Sequence, residues 1–153
     1  RYIIKELCME LVFNNRVKLD LREMLSNAVH FYADKLGMDE RLQKKITLHI
    51  FVRKGPDRGA CYAVCMPKRV PKNFVIELNP EDDLSILQTL AHEMVHLKQF
   101  ATGELRLLER CAKWKDSTWT QKEDEIDNYY DSPWEIEAFG REEGLFLRFA
   151  NTM

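Results

Sequence analysis

Glycine, with 6 of 153 residues, and proline, with 5, are too sparse to make a linker or a low-complexity tract. No internal repeat or composition shift divides the chain, so residues 1–153 read as one domain, large enough to build its own core. Long apolar runs are missing too. Nothing approaches the roughly 20 residues of a membrane span, and the expectation is a soluble protein without a membrane partner. The opening RYIIKELCMELVF lacks the basic, apolar, small-residue order of a secretory signal. Charge of one sign is also lacking: Lys+Arg 23 against Asp+Glu 25 leaves a net charge of -2. Nucleic-acid binders usually carry a strong basic excess, so a dedicated phosphate-tracking surface is not expected.

The four cysteines, at 8, 61, 65 and 111, follow no metal-knuckle or redox spacing. Cys61 and Cys65 share one face of an apparent strand and stand about 13 Å apart at 3.3 Å per residue, too far to bridge. Reduced thiols in a cytoplasmic protein are the expectation.

What is present has clear periodicity. DLREMLSNAVHFYADKLG, residues 20–37, carries a stripe of Leu21, Leu25, Ala28, Val29, Tyr32 and Leu36. Asp20 and Glu23 have capping-box spacing, and Gly37 is the stop signal. Ile46, Leu48, Ile50 and Val52 alternate as one strand face; a second strand is expected from Ala60 to Met66 and a third over NFVIEL. After Pro80 the period changes to that of a helix from Asp83, the expected N-cap, to Ala101, with Gly103 beyond it. A charged segment containing tryptophan then leads to a last helix opening at Ser132-Pro133. Strands in one block between helices indicate an α+β domain.

The central helix contains His92-Glu93-Met94-Val95-His96. At about 100° per residue the two histidines lie some 40° apart and can converge on one ion. Leu87, Leu90, Ala91, Met94 and Val95 take much of the other side, so the histidines are expected to face a cleft. Neutral imidazoles suit Zn²⁺, and Glu93, about 60° from His96, can reach a water on the metal without being a ligand.

A catalytic zinc site needs a third protein ligand. The other histidines, His30 and His49, precede the motif and have no ligand partner at useful spacing, which leaves a carboxylate, with Cys111 an outsider. Of the acids from Glu104 to Glu143, the foremost is Glu135, on the first turn of the last helix, with the small Ala138 allowing close approach. Glu137 is its neighbour and competitor. Ser132-Pro133-Trp134-Glu135 also reads as a capping box, in which Glu135 merely closes the helix start.

HEMVHLKQ followed by PWEIEAFGRE resembles the zincin metallopeptidases, specifically the gluzincin type with a glutamate as third ligand. Over residues 46–143 it is similar to small SprT-like metallopeptidases of tailed phages, which share HExVHxxQ and a later WEIEA. The resemblance implies a minimal zincin domain: a small twisted sheet, an N-terminal helix, the metal helix beneath the sheet, and a C-terminal helix bearing the ligand. It implies zinc on His92, His96 and Glu135, with Glu93 as general base in peptide hydrolysis, and host cytoplasm as the location of a viral protein. SprT-like proteins proper use histidine as third ligand. The aspartate that many gluzincins carry after the small residue is here Phe139, so support for a ligand histidine is expected from Asp131, Glu137 or a backbone carbonyl. Lys98 is unusual at its position.

Tyr129 or Tyr130 could donate to a developing oxyanion. Trp114 and Trp119 with Lys113, Lys115 and Lys122 could form a nucleic-acid surface, but Asp116, Glu123, Asp124 and Glu125 interrupt it and favour a solvated hairpin. Lys68, Arg69 and Lys72 are discounted in the same way. Met9, Met24, Met38 and Met66 read as core filler. The expected partner is a protein or peptide substrate, laid along the VIEL strand by backbone pairing. The rival readings are a non-proteolytic zinc scaffold and a DNA-associated module.

Overall fold

The computed structural model describes residues 8–64, 70–120 and 125–153, without the side chains of 125–127. Cys65, Met66, Lys68, Arg69, Lys122, Glu123 and Asp124 lie outside the described residues. The fold is mixed α+β. A four-stranded sheet is built from β1 (Glu10–Phe13), β2 (Thr47–Val52), β3 (Gly59–Val64) and β4 (Asn73–Leu78). Its order is β1-β2-β4-β3, with β1, β2 and β4 parallel and β3 antiparallel at the edge. A three-stranded antiparallel sheet comprises β5 (Leu105–Leu107), β6 (Cys111–Trp114) and β7 (Ser117–Thr120). The helices are α1 (Leu19–Lys35), α2 (Glu40–Gln43), α3 (Asp83–Ala101), α4 (Glu125–Asp131) and α5 (Pro133–Ala150).

Alternation decides what the large sheet buries. Leu48 and Ile50 of β2 and Phe74, Ile76 and Leu78 of β4 are fully buried on one face. α3 packs against β3 and β4 and is in turn flanked by α1 and α5. The Tyr32 hydroxyl of α1 donates to the Leu87 carbonyl at 3.0 Å, so this buried phenol leaves no unsatisfied donor against α3. Gly37 and Gly103 follow the ends of α1 and α3 at φ 79°, a left-handed conformation that glycine adopts at helix stops without a Cβ penalty.

Several boundaries differ from the sequence reading. α1 starts one residue before Asp20; its N-cap is Lys18, and no side chain caps it, so the Asp20–Glu23 box does not form. Asp82 rather than Asp83 caps α3, its carboxylate accepting from the Ser85 amide at 3.0 Å. β1 was not expected; its four residues carry too short an alternation to announce a strand, and parallel pairing with β2 stabilises it. That pairing also corrects the role of the VIEL strand. Val75–Leu78 lie in β4, which is bonded to β2 on one side and β3 on the other and has no edge to offer. Among the described residues the edges are β1 and β3.

β3 approaches α3 closely at Gly59. A Cβ there would lie 2.6 Å from Thr89 Cγ2 and 3.3 Å from Glu93 Cγ. Thr89 is β-branched within a helix and cannot rotate freely out of the way. Gly59→Ala is therefore expected to destabilise the fold by about 1–3 kcal/mol, as overpacking does. Thr89→Ser, which removes the clashing methyl but leaves the Glu77 carbonyl at 3.2 Å, should recover part of that loss in the double variant. Urea titrations of the four proteins test the coupling, and purely additive effects would exclude it.

Candidate metal centre

α3 is buried nearly all round, from Ile86 through Ala101 apart from the half-buried Gln88 and Lys98, because α5 covers the side that the sheet and α1 leave open. The histidines thus face α5 rather than open solvent: His92 and His96 are 9 % and 8 % exposed. Their rings stand 4.9 Å apart, edge to face. From the first turn of α5, Glu135 brings one carboxylate oxygen, Oε1, to 3.1 Å from the Nε2 of both imidazoles. His92, His96 and Glu135 are the one group among the described residues whose atoms converge in this way, and they could hold a metal ion. Donors about 2.0–2.1 Å from a tetrahedral ion stand about 3.3 Å from one another, close to the two separations found here.

The hydrogen bonds on the far sides of the rings fix which nitrogen is bare. Gln99, fully buried, donates through Nε2 to the Trp134 carbonyl at 2.9 Å and to Glu137 Oε1 at 3.0 Å. Its Oε1 is left to accept from His96 Nδ1 at 2.8 Å, which makes that nitrogen the protonated one and turns the Nε2 lone pair toward Glu135. Glu142 Oε1 accepts from His92 Nδ1 at 3.2 Å with the same consequence. Two bare nitrogens and a carboxylate oxygen then face one point, an arrangement that a cation relieves.

A proton and a metal compete for that point. Burial lowers the basicity of His92 and His96, but the hydrogen bond to Glu135 and the negative charges of Glu135 and Glu93 together outweigh it, and both are raised above the ordinary imidazole value. Burial would raise Glu135, yet the bonds from the two histidines hold it at about 2. Glu93 is different. It is 6 % exposed and lies outside the converging trio, and burial pushes its carboxyl up to about 7 against the pull of His96 and His92. Tyr129 reaches the same site: burial raises its phenol strongly, and a hydrogen bond to Glu135 and the charge of Glu135 add to that.

These groups line a cleft of about 560 Å³ together with Asp57 and Arg58 just before β3, Gly59–Cys61 of β3, Tyr130, Phe139 and Glu142. Glu135 and Ala138 are buried on α5, with Glu135 on the histidines. The capping-box reading of Ser132 and Glu135 does not hold: Ser132 Oγ donates to the Tyr129 carbonyl at 2.6 Å and makes no side-chain cap. Glu137 turns away from the cleft, accepting from Gln99 and pairing with Lys98 Nζ at 3.2 Å; Lys98 also pairs with Glu104 at 2.7 Å. This ion pair accounts for the unusual lysine. Cys111 sits on β6, outside the converging trio.

Support for the ligand histidines comes from neither Asp131 nor a backbone carbonyl, and from Glu137 only through Gln99. Phe139 stacks edge-on against His92 at 4.6 Å, and the supporting carboxylate appears three residues later, as Glu142. Glu135, Phe139 and Glu142 are spaced 4 and 3 apart and so share one face of α5, a periodicity visible in the sequence. Gln99 could have been found in the same way, three residues after His96.

Gln99→Leu keeps the volume but strands His96 Nδ1–H and the Trp134 carbonyl, and leaves Glu137 only its pair with Lys98. Metal affinity should fall about 10–100-fold, the usual effect of losing an outer partner. Competition with a chromophoric chelator measures this, and unchanged affinity would remove Gln99 from the account.

The site defines a class: an α+β domain with a His-Glu-x-x-His helix and a glutamate from a second helix converging on one point. No family model, curated protein or solved structure matches the chain.

Proposed function

We propose that the protein is a zinc-dependent metallopeptidase, a minimal zincin of the gluzincin type similar to the SprT-like proteins of tailed phages. One observation carries this reading: two imidazoles and a carboxylate converge while a second carboxylate, Glu93, stands buried in the same cleft without joining them. A site kept only for stability has no use for that carboxylate. Two nitrogens and one oxygen suit zinc, with a position left open. When bound, the metal supplies Lewis acidity that lowers the pKa of water and polarises a carbonyl.

The chain's own residues do the rest. Glu93, with a carboxyl near 7, takes a proton from the attacking water and delivers it to the nitrogen of the departing amine. Tyr129, which lines the same cleft, donates its phenolic proton to the oxygen on which negative charge develops. The substrate backbone lies along β3, the free edge beside the cleft. Against a DNA-associated module stands the net charge of -2. Among the described residues no helix is long and apolar enough to cross a membrane.

Zinc-loaded protein should cleave members of a pool of unstructured peptides, lose that activity to a chelator and regain it with zinc. Mass spectrometry of the pool reads the result. If the loaded protein leaves every peptide intact, the scaffold reading replaces this one.

A further inference from the structure

Beside the metal cleft lies a second cavity, of about 580 Å³, that has the Tyr129 ring as a common wall with it. Leu107 and Leu108, at the end of β5, and Trp119 of β7 form one side, and Trp134 of α5 closes another. The Trp119 and Trp134 rings meet nearly perpendicular at 6.1 Å, and Trp114 backs Trp134 at 6.3 Å. Three of these side chains are left open to water: Leu107 is 61 % exposed, Trp119 40 % and Leu108 37 %. A contiguous apolar surface of this kind marks a place where something binds. Among the described residues no charged side chain lines this cavity, whereas Asp57, Arg58, Glu93, Glu135 and Glu142 line the metal cleft. The two compartments therefore differ in chemistry and adjoin at Tyr129.

We propose that this cavity is a subsite for a bulky apolar side chain, aromatic above all, of the polypeptide cleaved at the metal centre. The inference rests on the function proposed above. A chain lying in the metal cleft and running past Tyr129 delivers its next side chains here, and indole edges and faces favour an aromatic guest. The volume lies within the usual range of about 300–1,000 Å³ for ligand sites. Occupancy is also connected to the chemistry. Trp134 directly precedes Glu135, and its carbonyl accepts from the Gln99 amide that orients His96. A side chain seated on Trp134 thus bears on the turn that carries the third ligand.

The test uses zinc-loaded Glu93→Gln full-length protein and short, labelled Ala/Ser/Gly peptides that differ in the position of a single Phe. Fluorescence anisotropy gives their affinities, and the series is repeated with zinc removed by chelator. One register of Phe should bind about tenfold tighter than the Phe-free peptide, with or without metal. Trp119→Ala and Leu107→Ala, both at exposed positions, should each remove most of that gain and leave the affinity of the Phe-free peptide unchanged. Circular dichroism verifies that both variants are folded. Equal binding at every register, or a gain that survives both substitutions, overturns the subsite. Cleavage of the same peptides by zinc-loaded wild type tests the peptidase reading separately, so the two can fail independently.

Discussion

Glu93→Gln should reduce peptide hydrolysis by about 10²–10⁴-fold while leaving the metal bound, because a positioned general base contributes that much and Glu93 is not among the converging ligands. The amide keeps the size and shape of the carboxylate where it is most confined, with Gly59 of β3 against Glu93 Cγ. The fold should survive, and the metal-free variant should resist unfolding at neutral pH at least as well as wild type. The sign follows from the raised carboxyl: a group at about 7 when folded and near 4.5 when unfolded is harder to ionise in the native state. Its penalty is absent below pH 4.5 and full above about 7, so wild type should lose stability across that window to an extent that the Gln variant does not. Equal hydrolysis by the two proteins would remove Glu93 from the mechanism.

The second large effect concerns metal binding. His92→Ala or Glu135→Gln should weaken zinc by more than the 10–100-fold (an approximate range) expected for an outer partner, since each removes or disables a donor at the point of convergence. Glu137→Gln should cost far less. Glu137 meets the site only through Gln99, whose amide still has the Trp134 carbonyl to donate to, and its loss mainly frees Lys98, which keeps Glu104. Titration against a chelator orders the variants. If Glu137→Gln were the more damaging, the third ligand would have to be reassigned to it.

The candidate centre was more legible in the sequence than the fold around it. Histidines four residues apart on an apolar helix can hardly avoid facing the same way, and the absence of any later histidine turned attention to Glu135. Which of Glu135 and Glu137 faces the histidines depends on Lys98 and Gln99, whose partners lie on another helix and leave no local signal. The periodicity of α1 and α3 is strong enough to mark both helices, but their first residues carry no such signal: Lys18 precedes α1 without a side-chain cap, and the choice of Asp82 over Asp83 depends on which carboxylate reaches Ser85. β1 is stabilised by partners 37 residues away, and the assignment of β3 rather than β4 to the edge is set by pairing order, which strand alternation does not encode. The segment carrying Trp114 and Trp119 reads as a solvated hairpin, and β6 and β7 do pair as one, with β7 exposed throughout; β5, which adds a third strand, has no such signal.

The central claim is that His92, His96 and Glu135 hold one zinc ion. An anomalous difference map collected on either side of the zinc edge, from crystals of protein purified without chelators, tests it most directly. The account predicts a single strong peak per chain, about 2.0–2.2 Å from Nε2 of both histidines and from a Glu135 oxygen, with Glu93 not in contact with it. A map without a peak there, or with the peak bound by Glu93 or Glu137 in place of Glu135, would contradict it.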